Sequence, residues 1–198
     1  MKKKIVLTSI VALSLALLVA VGVTVAYLFV ETNPVENVFT PSNISIELEE
    51  TERDYKMIPG ITLPKDPKVT VVSDIYCYVF IKVDKTNNPD DYLEYAIASD
   101  WVQLKNADNT VVEGVYYYKD IVTSIKDISI LVDDEVTVKA SLTKGDMNDL
   151  YSNGSPNADA FPKLTFTAYA IQATSGTDSD GKATTFSPAE AWAEINKD

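Results

Sequence analysis

The chain has 198 residues, with 17 lysines and arginines against 29 aspartates and glutamates, a formal net charge of −12 and one cysteine. It contains no histidine, which removes Ser-His-Asp triads, Cys-His dyads, HExxH zinc sites and every histidine-based proton transfer. Arg53 is the only arginine and the lysines are scattered, so no basic stripe exists to neutralise phosphates and nucleic acid is not an expected partner.

At the start, Lys2, Lys3 and Lys4 form a basic region, and Ile5 to Val30 is an uncharged run of 26 residues. With the small-residue end Thr24-Val25-Ala26, this matches a secretory signal over residues 1–26, cut after Ala26 to leave Tyr27 as the mature start. The competing reading is an uncleaved membrane anchor, because about 20 apolar residues suffice to cross a bilayer. Cleavage removes three lysines and no acids, which moves the net charge from −12 to −15 and leaves a strongly acidic, soluble surface. The mature 172 residues are expected to form one domain, residues 43–198, preceded by a segment over 27–42. Cys77 stands alone, so the fold cannot rest on intrachain disulfides and must be held by packing.

Within the mature chain, Ile44 to Glu49 alternates apolar and acidic or polar residues and predicts a half-buried strand. Pro59-Gly60 marks a turn, and Pro64-Lys65-Asp66-Pro67 bounds the next strands, Val69 to Ser73 and Ile75 to Val83. In the latter, Ile75, Cys77, Val79, Ile81 and Val83 share one face while Tyr76, Tyr78 and Phe80 share the other. Both faces are therefore expected to be covered. Trp101 to Lys105, Thr110 to Tyr118, Ile128 to Leu131, Glu135 to Leu142 and Leu164 to Ala173 are further strand candidates, rich in Val, Ile, Thr and Tyr.

Lys144 to Ser152 lacks strict alternation and reads as a short helix or loop, and Ser175 to Lys182 as turn material. Ser187-Pro188-Ala189-Glu190 matches a capping box with proline at the first helical position, so a short C-terminal helix is predicted with Trp192 and Ile195 facing inward. Many short strands with frequent turn signals predict an all-β sandwich or jelly roll.

Little catalytic chemistry is left. The seven glycines show neither GxGxxG nor GxxxxGK spacing, so no phosphate loop is expected. Asp178-Ser179-Asp180-Gly181 resembles a fragment of a calcium loop without its downstream bidentate glutamate, and a solvated turn is the simpler reading. Asp90-Asp91 and Asp133-Asp134-Glu135 read as exposed loop and strand-end charges. Cys77 falls on an apolar strand face with no adjacent cation and is expected to be inert. Tyr116-Tyr117-Tyr118 is a candidate sugar platform or, more simply, core packing. Asn43-Ile44-Ser45 fits a glycosylation sequon formally but overlaps a strand start. No cofactor or metal ligand set is expected.

Gly22-Val23-Thr24-Val25-Ala26-Tyr27-Leu28 and Asn37-Val38-Phe39-Thr40 resemble the signal and early mature region of the TasA/camelysin family of Gram-positive exported proteins. Further blocks resemble that family in order: Ile58-Pro59-Gly60, Pro64 to Val69, Tyr78 to Val83, Leu164 to Gln172 and Glu190-Ala191-Trp192. The resemblance implies a jelly-roll fold, processing by a SipW-type signal peptidase, and a secreted or surface role in fibres of the biofilm matrix. Its partners would be copies of itself and other matrix proteins. It further implies that the N-terminal mature segment of one subunit adds a strand to the next, with Tyr27, Leu28, Phe29, Val38 and Phe39 as donor residues. Physically, Tyr27 to Val30 and Val35 to Thr40 are apolar and would gain ladder hydrogen bonds at an open edge.

The alternative is that Tyr27 to Thr40 folds back as the first strand of its own subunit. The metalloprotease activity described for camelysin-type members is not carried over, since the chain lacks HExxH and histidine. No conventional sorting motif closes the C-terminus, so wall attachment would be non-covalent. A carboxylate-based metallopeptidase and a monomeric glycan- or host-binding module are the other functional classes compatible with the composition.

Overall fold

In a computed structural model the placement of residues 42–52 and 55–197 is described. The chain divides into two units, residues 1–40 and 41–198, and the described residues belong to the second. In chain order they form β1 (Ile44–Glu49), β2 (Thr62–Pro64), β3 (Lys68–Ser73), β4 (Cys77–Thr86), α1 (Pro89–Tyr92), β5 (Leu93–Glu94), β6 (Trp101–Lys105) and β7 (Val111–Tyr118). There follow β8 (Lys126–Ser129), β9 (Glu135–Val138), α2 (Lys144–Asn148), β10 (Tyr151–Ser152), β11 (Ser155–Pro156), β12 (Lys163–Gln172), β13 (Thr174–Thr177), β14 (Ala183–Thr185) and α3 (Pro188–Ile195).

Every ladder is antiparallel. The largest sheet has the order β12-β4-β7-β6, and two three-stranded sheets have the orders β1-β3-β8 and β2-β9-β5. Between them lies the main core: Val69 and Val71 of β3, Cys77, Val79, Ile81 and Val83 of β4, and Ile128, Ile130, Leu131, Val136 and Phe166. Alternation along β3 and β4 sends these side chains one way, which makes the protein an all-β sandwich.

The other face of β4 is covered as well. Phe80 is fully buried there with Leu104, Val115 and Ala191, and Tyr78, Tyr169, Trp192 and Ile195 pack around them. Helix α3 is thus a lid on the outer face of the large sheet. Ser187 caps it: its side chain accepts from the Glu190 N–H at 3.3 Å, and the Glu190 carboxylate accepts from the Ser187 N–H at 2.8 Å. The expected inward face is observed, with Trp192 tilted against Phe80 at 5.4 Å and edge-on to Tyr169 at 5.2 Å.

The structure differs from the sequence reading in several elements. β8 occupies Lys126–Ser129 rather than Ile128 to Leu131: the Ile130 N–H still donates to Pro67 O at 3.0 Å in the β3–β8 register, but Pro67 has no N–H to return, and Ile130 O and Leu131 turn to Ala98 and Ile97. β9 stops at Val138: the Lys139 N–H still donates to Tyr92 O at 2.9 Å in the β5–β9 register, but Tyr92 is the last residue of α1, and among the described residues no strand lies beyond it to pair with. Lys144 to Ser152 resolves into helix α2, capped by Thr143, and the first arm of the β10–β11 hairpin. Ser175 to Lys182 is only partly turn: Ser175, Gly176 and Thr177 belong to β13, and residues 178–182 form the turn that leads into β14.

Candidate functional site

A two-layered sandwich has two long margins where the sheets end, and here the two are built differently. At one margin the large sheet ends in β6 and the opposing sheet in β8. Trp101, the first residue of β6, is buried and donates its indole N–H to Ser129 O of β8 at 2.8 Å. That bond ties the two edge strands together. Tyr118 stacks edge-on against Trp101 at 5.7 Å, and Lys126 lies over the Tyr118 ring at 4.6 Å. Among the described residues β6 and β8 nevertheless each have a ladder on one side only, β6 with β7 and β8 with β3.

At the other margin the edge strands are β1 and β12, which lie against each other. Among the described residues each has a ladder on one side only, β1 with β3 and β12 with β4. Ile44, Ile46 and Leu48 of β1 and Leu164 and Ala168 of β12 are partly buried and pack on the main core. The margin therefore combines two edge strands, one-sided among the described residues, with an apolar floor beneath them.

A polar corner pins the far end of this margin. Lys65 forms an ion pair with Glu50, the two side chains being only 12% and 17% exposed. The ammonium lies 5.2 Å from the Tyr55 ring centroid and 5.7 Å from that of Phe166 in β12. The Tyr55 hydroxyl donates to Glu50 at 3.1 Å, and burial, then Glu50, push its pKa up. Beside it the Thr51 N–H donates to Asp66 at 3.0 Å. The stretch after β1 is thereby fastened to Phe166. Nothing in the sequence pattern announces this corner, since Glu50, Lys65 and Phe166 meet only through the tertiary fold.

The opposite end is where β1 begins. The Asn43 N–H donates to Asp74 at 3.1 Å, and a cleft of about 510 Å³ lies between Ser42, Asp74, Tyr76 and Thr123. The expected cleavage site, Ala26 and Tyr27, and the expected donor residues Tyr27, Leu28, Phe29, Val38 and Phe39 lie outside the described residues.

Other candidates from the sequence find structural uses. Cys77 is fully buried, and burial pushes its thiol pKa up, with a weaker opposing effect from the Ser73 hydroxyl. Asp178 accepts from the N–H groups of Asp180 at 3.0 Å and Lys182 at 2.8 Å, so its carboxylate closes its own turn. Tyr116 packs on the main core, Tyr117 on the second core, and Tyr118 is buried. The three rings are thus spent on packing. A cleft of about 420 Å³ borders Glu49, Glu50, Asp66 and Asp134. Among the described residues, however, no group of three or more Cys, Asp or Glu side chains is arranged to hold a metal ion. No family model matches the chain, and no curated protein matches it.

Proposed function

We propose that the chain is a secreted structural protein of a Gram-positive bacterium, resembling the TasA/camelysin family, whose copies join head to tail into extracellular or cell-surface fibres. Residues 1–26 direct export, and a signal peptidase cuts after Ala26. The freed segment from Tyr27 to Thr40 then pairs with a second copy, and the protein performs no catalysis. The observation that carries this reading is the open margin, with β1 and β12 each paired on one side among the described residues and floored by Ile44, Ile46, Leu48, Leu164 and Ala168.

The energetics suit an intermolecular strand. Six residues added along one edge make about six ladder bonds, each worth roughly 0.5–1.5 kcal/mol net. That sum and the burial of Val38 and Phe39 must exceed the cost of association. A donor that reaches a neighbour rather than its own body makes a heterologous contact, and heterologous contacts that do not close give filaments.

Electron microscopy of protein beginning at Tyr27 tests the proposal: filaments are expected, and deletion of residues 27–40 gives a folded monomer. A mature chain that stays monomeric at every concentration, or filaments from the deletion variant, would refute it.

A further inference from the structure

We infer that the end of the sandwich around Ser42 is the body-to-body contact between successive copies, an apolar surface centred on Tyr76 and Ile125. The inference rests on the donor-strand reading above and follows from how little chain is left between donor and body. If Thr40 is the last donor residue seated on a neighbour, only Pro41 separates it from Ser42. An extended residue spans at most about 3.6 Å, so the neighbouring body comes within roughly 4–7 Å of Ser42. Whatever surrounds Ser42 is then covered by that neighbour.

What surrounds it is unusually apolar for so acidic a chain. Ten large hydrophobic side chains are exposed among the described residues, and four lie at this end: Val72 (43%), Tyr76 (65%), Ile121 (40%) and Ile125 (72%). Their placement follows from the ladders. Ser45 of β1 pairs with Val72, and continuing the β3–β8 register past Val71↔Lys126 sets Ile125 opposite Val72 on the outer face. The isolated bridge Cys77↔Val122 sets Tyr76 beside Thr123, and Tyr76, Thr123 and Ser42 border one cleft. Ile121 precedes the bridging residue. Exposed apolar groups gathered in one place mark an interaction surface more than scattered ones do. In a mature chain whose net charge is −12 less the three lysines of residues 1–26, or −15, they also give two copies a place to meet where hydrophobic burial opposes charge repulsion.

The partner is a second copy, and the contact is heterologous, because the Ser42 end of the donor meets whichever part of the acceptor flanks its open margin. Burying Tyr76 and Ile125 there would also fix the angle between bodies, which a strand joined through one residue leaves loose.

The test is the double variant Tyr76→Ser/Ile125→Ser in the mature chain, with Val111→Ser, exposed elsewhere on β7, as a control. A synthetic peptide of residues 27–41 added to the deletion variant reports strand binding separately, as a rise in melting temperature. Expected are unchanged melting for all variants, retained peptide binding in the deletion variant carrying the two serines, and filament elongation slowed at least about tenfold in the double variant alone. Elongation at the wild-type rate, or equal slowing by Val111→Ser, overturns this surface while leaving the donor strand intact. A wild-type chain that neither elongates nor binds the peptide overturns both.

Discussion

Gly114 offers the sharpest test of how the large sheet is held. It sits in β7 with φ +70°, and a Cβ placed on it would lie 2.6 Å from the carbonyl oxygen of Val83. The β4–β7 ladder runs through Phe80↔Tyr117 to Lys82↔Val115 and ends there, and the β6–β7 register shifts between Gln103 and Lys105. Gln103 spans that irregularity, donating its side-chain amide to Val112 O at 2.9 Å and Val115 O at 3.1 Å. Gly114→Ala thus meets two costs. A left-handed alanine costs about 1–2 kcal/mol, and relieving the clash shifts Val83 or opens the adjoining ladder, for about another 1–2 kcal/mol. The expected loss of about 2–4 kcal/mol lowers the melting temperature by roughly 5–15 °C for a body of this size. Gly154→Ala separates the terms, because Gly154 has φ +77° and no atom within 4 Å of its ideal Cβ. Urea unfolding of both variants followed by circular dichroism measures the difference. Equal destabilisation by the two would show that the close approach of Val83 is not what demands glycine.

Lys65→Ala leaves Glu50 enclosed against Tyr55 without its cation; breaking fully buried pairs costs 3–5 kcal/mol, and residual exposure here reduces that to about 1–3 kcal/mol. A Lys65→Ala/Glu50→Ala cycle in urea should recover part of the loss, and strict additivity would refute the pairing. Acid should destabilise the fold, because several carboxyls are held below their ordinary range. The Thr51 hydroxyl acts first on Asp66, Lys85 on Asp90, the Thr110 hydroxyl on Asp108, and the backbone N–H groups of Thr143 and Ser187 on Asp146 and Glu190. Groups that bind protons more weakly when folded contribute stability above their unfolded value, near pH 4, and lose it as pH falls. Melting temperature should therefore decline below about pH 4, and a rise there would contradict the assignment. Cys77 should resist a thiol reagent in the native protein and react stoichiometrically once unfolded; prompt native labelling would contradict its burial.

Much of the fold was legible because local pattern and tertiary burial agree in it. Ile44–Glu49 and Trp101–Lys105 form strands at the bounds their residues suggest, and the two-sided apolar pattern of β4 correctly implied that both faces are covered. Ser187 to Glu190 announced its helix through hydrogen bonds that are wholly local. The β10–β11 hairpin carried a signal that the reading passed over: Asn153-Gly154, with φ of 52° and 77°, is the pair that two-residue hairpin turns favour. By contrast, β13 and β14 are polar and short, supported by the Ser175 hydroxyl donating to Thr184 at 2.9 Å, and no hydrophobic period betrays them. The two margins belong to a third kind of feature. Whether Trp101 ties β6 to β8 depends on where Ser129 lands, 28 positions along the chain, and that distance is set only when the sheets pack.

The one-sided ladders of β1 and β12 have a consequence for the polymer proposed above. If copies join as proposed, each has a single N-terminal strand to give, so each adds to one neighbour and the thread has a direction. The two tips of such a thread are chemically unlike, one displaying a vacant groove and the other a spare strand. A truncated subunit lacking residues 27–40 would consequently act as a stopper at one tip alone, arresting growth there at doses far below one per subunit.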